Sequence, residues 1–230
     1  MSEATVAQLR QLADHCPAKR LSLVALLWDV NPPAYEEWVS VVEQALLLQI
    51  DKISEKRNYL SDFGEDALTT VLQIGLDSLH LSCSAAVVNG NVDLVIEHRG
   101  YKWLGEAKIA TGSTVIYHGY NQLTTRYATG QPNQTAGGML LYCKDDTADG
   151  ILAGWRAALE IQRPDAEIVD GPVPLSFRSV DSRNGAGQRF SIIHLAVSLH
   201  HSPQEDTDLL SKDAQQAYRR VKASVKAGRA

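Results

Sequence analysis

The sequence is short of cysteine, of long apolar runs and of net positive charge. Its 230 residues include only three cysteines, which are too few and too scattered for a disulfide framework or a paired-cysteine metal site. The most apolar stretch near the start, residues 21–30, falls well short of the roughly 20 residues that a bilayer span requires. The first residues also lack the basic segment of a signal peptide. We therefore expect a cytoplasmic protein that makes no membrane contact.

Composition and charge exclude two further classes of protein. With 44% hydrophobic and 21% charged residues the chain is globular, so disorder over most of its length is excluded. The net charge of −5 argues against a generally basic protein that coats phosphates, but not against an enzyme with local positive charge. Residues 211–230 are the exception, with six Lys or Arg and one Asp. This basic tail is either a solvated terminus or an arm that contacts phosphate groups.

Hydrophobic periodicity predicts an alternation of helices and strands. Helices are expected at residues 4–15, 34–53, 65–80, 115–128 and 149–161. Strands are expected at residues 81–88, 91–98, 101–109, 137–143, 173–180 and 188–198. Asn89-Gly90 and Arg99-Gly100 are typical of two-residue hairpin turns, as Gly185-Ala-Gly-Gln is of a longer one. The predicted fold is therefore α/β, with a mixed central sheet flanked by helices.

Two of the predicted strands carry acidic residues that a buried sheet should not have. Alternation puts Asp93 and Val95 on one face of residues 91–98, and Leu104, Glu106 and Lys108 on one face of the next strand. If the strands pair through the Arg99-Gly100 turn, Val95 lies near Leu104 and Asp93 lies near Glu106. The two carboxylates and the lysine then share one small region of the sheet.

Adjacent carboxylates repel each other unless a cation lies between them. Oxygen ligands with few other donors suit Mg²⁺, which retains water ligands and is readily shared with substrate phosphates. A neighbouring lysine can orient or deprotonate an attacking water, or stabilise charge on phosphorus. The alternative is a solvated sheet face with a cross-strand ion pair that contributes little.

Helix periodicity adds further candidates on the two helices that flank these strands. In residues 65–80, the positions spaced from Glu65 are mostly apolar, so Glu65 is the acid that is expected to point inward toward the carboxylates. On the later helix, Gln122 and Arg126 lie four residues apart on one face. Those two side chains have two interpretations: they position water, metal-bound groups or phosphate, or they belong to an ordinary solvent-exposed helix face.

This arrangement resembles the PD-(D/E)XK nuclease superfamily, which is also called restriction-endonuclease-like. Residues 60–145 carry the resemblance: a Glu-bearing helix, Asp93, the run Glu106-Ala107-Lys108, and then a helix with Gln122. The family has an αβββαβ core and cleaves phosphodiester bonds with Mg²⁺. Val92 stands where many members have proline, a departure that other members share.

The resemblance implies a role for each candidate residue. Asp93 and Glu106 would bind the metal, with Glu65 as an accessory ligand. Lys108 would assist the nucleophile, and Gln122 would be a catalytic helix residue that supports the site. The implied enzyme is a Mg²⁺-dependent endonuclease in prokaryotic antiviral defence or restriction, with Mn²⁺ as a substitute metal. It would act on DNA rather than RNA and leave a 5′-phosphate.

The sequence also suggests an organisation and partners. We expect an N-terminal helical extension at residues 1–60, a nuclease domain at 61–200 that includes C-terminal strands, and the basic tail at 201–230. Restriction-like enzymes often dimerise, so a homodimer or a protein of a defence complex is an expected partner. Two alternatives stay open: a nuclease-like nucleic-acid-binding or scaffold subunit that does not cleave, and an interaction protein whose acidic strands are merely surface.

Overall fold

A seven-stranded mixed sheet forms the framework of the fold. The computed structural model describes residues 6–13, 15–87, 91–184, 187–202 and 211–227. The contacts divide the chain into two units, Met1–His200 and His201–Ala230. The sheet belongs to the first unit, and its strands are β1 (Ser82–Val87), β2 (Asn91–His98), β3 (Tyr101–Ile109), β4 (Ala136–Cys143), β5 (Glu167–Asp170), β6 (Ser176–Asp181) and β7 (Phe190–Ser198).

The strand order is β1-β2-β3-β4-β7-β6-β5. The central pairs, β3 with β4 and β4 with β7, are parallel, and the outer pairs are antiparallel. The helices of the first unit are α1 (Val6–Ala13), α2 (Pro17–Leu27), α3 (Tyr35–Glu55), α4 (Arg57–Leu60), α5 (Glu65–Asp77), α6 (Ser113–Gln122) and α7 (Ala148–Gln162). A single π-helical turn, Leu123–Tyr127, continues α6.

The predicted α/β class is confirmed, and between residues 65 and 143 the elements follow one another in the order α5-β1-β2-β3-α6-β4. Helices α2 and α4 and the edge strand β5 were not expected. The helix predicted at residues 115–128 begins earlier and changes its winding at Leu123, since its last turn is π-helical.

The hairpin between β2 and β3 sets the register of the acidic strands. Arg99 and Gly100 both have positive φ, 46° and 90°, as a two-residue turn of this kind requires. The predicted pairing of Val95 with Leu104 is confirmed. The other two predicted turns include residues outside the described ranges.

The sheet separates two hydrophobic cores. On one face, α2, α3 and α5 pack over a cluster that includes Trp38 and Trp103; on the other, α6, the π turn and α7 cover a cluster that includes Tyr120 and Trp155. The strict alternation predicted for β2 is wrong at Val92, which packs in the same cluster as Val95. The β1–β2 register shifts opposite this stretch, and that irregularity turns Val92 out of phase.

The second unit contains α8 (Lys212–Ala227), so the basic segment is helical there. No helix in the described ranges is long and apolar enough to cross a membrane.

Candidate active site

The ammonium group of Lys108 lies at the centre of an acidic cluster. Its Nζ is 2.8 Å from Glu106 Oε1, 3.2 Å from Glu65 Oε1 and 3.7 Å from Asp93 Oδ2. Nζ also donates a hydrogen bond of 2.6 Å to the main-chain oxygen of Ala107. The structure thus brings together four of the six residues that the sequence singles out, from α5, β2 and β3.

Glu106 is the most deeply buried member of this acidic cluster. Only 2% of its side chain is exposed, and its Oε2 has no hydrogen-bond partner among the described residues. Burial raises the pKa of Glu106 to about 7, and the charge of Asp93 adds to this, although the hydrogen bond from Lys108 acts in the opposite direction. A buried carboxylate with a free oxygen is costly unless a cation compensates for it.

Asp93 enters the cluster because β2 separates from β3 at this point. Followed away from the turn, the ladder between the two strands ends at the pair of Leu94 and Gly105, so Asp93, the next residue of β2 in that direction, is not paired with β3. The Asp93 Oδ2 then accepts a hydrogen bond of 2.8 Å from the Ala107 N–H, which lies beyond the last main-chain pair of the two strands. Burial raises the pKa of Asp93, whereas the Ala107 N–H and the charge of Lys108 oppose the increase.

Glu65 reaches the acidic cluster from α5, which packs on the face of the sheet that carries Trp38 and Trp103. It is the first residue of α5, where a carboxylate also interacts favourably with the helix dipole. Its Oε2 accepts a hydrogen bond of 2.9 Å from the Ile109 N–H, while its Oε1 contacts Lys108. This fixes both carboxylate oxygens at the end of β3. The inward direction predicted for Glu65 from helix periodicity agrees with this position.

A glycine on α6 makes room for the stem of Lys108. A Cβ atom at Gly119 would lie 2.9 Å from Lys108 Cγ and 3.1 Å from Met139 Cε. Burial lowers the pKa of Lys108, but the hydrogen bond and the charge of Glu106 outweigh it, so that the pKa is raised overall. Lys108 is therefore held both sterically and electrostatically.

Gln122 is not joined to this cluster. It is the last residue of α6 and is half-buried, and no hydrogen bond or ion pair links it to the acidic residues in the part of the chain that the structure describes. Tyr127, at the end of the π turn, is the residue of this region whose pKa the acidic cluster affects. Burial raises the pKa of Tyr127, and the charges of Glu106 and Asp93 raise it further. Sequence periodicity does not predict this residue, because the π turn shifts the helix phase; π turns are frequent at functional sites.

The donor set of this cluster fits a divalent cation. Three carboxylates face one ammonium, so the ionised cluster keeps an excess of negative charge, and the unpartnered Glu106 Oε2 is available to a cation. Oxygen ligands of this kind are those preferred by Mg²⁺. Within the described ranges, no three His, Cys, Asp or Glu side chains are grouped so that they could hold a metal ion. The carboxylates of this cluster contact Lys108 instead.

Comparison with known proteins finds no family model, no curated protein and no solved structure that matches this chain.

Proposed function

We propose that the protein is a metal-dependent nuclease that hydrolyses phosphodiester bonds in DNA, with residues 61–145 as its restriction-endonuclease-like core. The observation that carries the proposal is the convergence of Glu65, Asp93 and Glu106 on the Lys108 ammonium. A purely structural ion pair needs one carboxylate per ammonium, and extra buried carboxylates are unfavourable without a further cation. The defence or restriction setting rests on analogy with the family alone.

Each residue of the cluster has a role that follows from its position. Asp93 and Glu106 would hold Mg²⁺ or Mn²⁺, with Glu65 as an accessory ligand. When bound, the cation polarises the scissile phosphate and lowers the pKa of a water molecule.

Lys108 donates to oxygen atoms at the reaction centre. Its longest hydrogen bond, 3.2 Å to Glu65 Oε1, is the one that a phosphate or water oxygen replaces most easily. The Ala107 N–H keeps Asp93 oriented, and the Ile109 N–H does the same for Glu65.

The direct test is a cleavage assay with purified protein on plasmid, linear duplex and single-stranded DNA, and on RNA, in Mg²⁺, Mn²⁺ or EDTA. We expect metal-dependent cleavage of DNA that falls by about 100-fold or more in Glu106→Gln and Lys108→Met, because each substitution removes a charged group from the reaction centre.

Glu97 and Lys102 provide matched control substitutions on the same two strands. They form an ion pair of 2.7 Å that is partly exposed. Glu97→Gln and Lys102→Met should therefore leave cleavage unchanged. Equal activity of wild type, Glu106→Gln and Lys108→Met would contradict the proposal. DNA binding without cleavage in any metal would favour the non-cleaving alternative.

A further inference from the structure

Two exposed aromatic side chains lie on the segment that leads into Glu65. Tyr59, in α4, is 74% exposed, and Phe63 is 40% exposed. A backbone hydrogen bond of 3.1 Å from Phe63 to Leu60 keeps the segment wound after α4 ends. The two side chains lie four residues apart in the chain, and exposed apolar groups that form one patch mark binding surfaces.

Phe63 is fixed close to the acidic cluster. Lys144, which follows the last residue of β4, donates a hydrogen bond of 2.9 Å from Nζ to the Phe63 main-chain oxygen. Two residues further on, Glu65 contacts Lys108 and the Ile109 N–H at 3.2 Å and 2.9 Å. The chain is therefore held at Phe63 by Lys144 and, two residues further on, by the contacts of Glu65 with the cluster.

Basic side chains accompany these aromatic rings. Lys56 and Arg57 are exposed immediately before Tyr59, and the half-buried Lys144 adds a third positive charge. These charges outnumber the one exposed acid of the segment, Asp62. We call residues 56–63 the aromatic segment. Aromatic faces next to basic groups are typical of surfaces that bind single strands, where rings stack on bases and cations contact the phosphates. A duplex cannot use such rings in the same way, because its bases are stacked on each other inside the helix.

We propose that the aromatic segment binds the unstacked bases of single-stranded DNA, and that Tyr59 and Phe63 give the site a preference for single strands over duplex. This inference builds on the proposed function, since it names the form of the substrate that is presented to the acidic cluster. Tyr59 and Phe63 would act by binding the strand, and the reacting phosphate would remain with the acidic cluster.

The test measures binding without cleavage, by fluorescence anisotropy in EDTA. The probes are labelled oligothymidylate, an abasic strand of the same length, and a duplex. Tyr59→Ala and Phe63→Ala should each weaken binding of oligothymidylate by about 5- to 150-fold, because each removes one stacking platform. Binding of the abasic strand, which keeps its phosphates, should not change. Phe63→Tyr, which keeps the ring, should bind like wild type.

Ile161→Ala is the matched control, because Ile161 is 77% exposed on α7 and lies outside the aromatic segment. It should bind every probe like wild type. The inference is overturned if the alanine variants bind oligothymidylate as wild type does, if they lose abasic binding equally, or if wild type prefers duplex. Cleavage by the same proteins in Mg²⁺ is scored separately. Ring-dependent binding without any cleavage would refute the proposed function alone, whereas cleavage without ring-dependent binding would refute this inference alone.

Discussion

His194 makes the stability of the fold sensitive to acid. It lies in β7 with no exposed surface, and its Nδ1 accepts a hydrogen bond of 3.0 Å from Trp155 Nε1. Because indole can only donate, the ring proton lies on Nε2 and is donated to Ser179 Oγ at 2.9 Å. Protonation of Nδ1 would place its N–H directly against the Trp155 Nε1–H, so that two donors would face each other without an acceptor. Burial, assisted by the positive charge of Arg178, lowers the pKa of His194 from 6.5 to about 3.

The sign of the effect follows from proton binding. Below pH 6.5 the unfolded chain takes up a proton that the folded chain refuses until pH falls to about 3, so stability is lost as pH falls. Between pH 7 and pH 5 the loss is about 1.9 kcal/mol, since only the unfolded histidine titrates in that window. We expect His194→Asn, which keeps an acceptor for the indole, to remove this loss.

The assay is urea unfolding at several pH values between 7 and 5, in EDTA, with wild type, His194→Asn and the exposed control His118→Asn. Carboxyl groups titrate in both proteins, so their contribution cancels in the difference between wild type and His194→Asn. His118→Asn should follow the wild-type profile. Parallel profiles for wild type and His194→Asn would refute the reasoning.

Three further substitutions test the packing and the site. In EDTA at pH 8, Glu106→Gln should raise the free energy of unfolding by about 1–3 kcal/mol, because it removes a buried charge that the fold tolerates poorly. That gain in stability should shrink as pH falls from about 7, the pKa of Glu106 in the folded protein, toward 4.5, the ordinary pKa of a glutamate. A variant that is less stable than wild type at pH 8 would contradict this prediction. Gly119→Ala should displace Lys108 and so lower the rate of cleavage in Mg²⁺ by about 10-fold or more. The control is Gly154→Ala on α7, where an added Cβ meets nothing within 4 Å; this variant should cleave like wild type. Tyr35→Phe should lower the urea midpoint by an amount equivalent to about 2–4 kcal/mol, since the hydroxyl accepts two backbone N–H groups and donates to a third residue; an unchanged midpoint would contradict this.

The local order of the fold could be predicted because turn and strand signals agree. Arg99-Gly100 sits between two alternating strands, so one turn type sets the register that pairs Val95 with Leu104. That register places Glu106 and Lys108 on the strand next to Asp93, although the predicted direct pairing of Asp93 with Glu106 is not part of the ladder. The position of Glu65 follows from its helix alone, because its apolar stripe has only one direction in which to be buried.

Other features depend on contacts that a single sequence does not display. Strand β5 is only four residues long and mostly exposed, so it has no apolar pattern and exists through its pairing with β6. The parallel placement of β4 between β3 and β7 depends on how helices cross the sheet. The π turn changes the helix phase after Gln122, and no propensity scale marks that change. The termination of the β2–β3 ladder beside Asp93 is likewise a tertiary feature.

Titration of the protein with Mn²⁺, followed by electron paramagnetic resonance of the free ion, examines the acidic cluster without reference to any substrate. We expect wild type to show saturable binding that is lost when Asp93→Asn and Glu106→Gln are combined, and that persists in Glu97→Gln. Identical titrations of wild type and the double variant would mean that these carboxylates serve only the Lys108 ion pair, and the metal-dependent function would have to be abandoned.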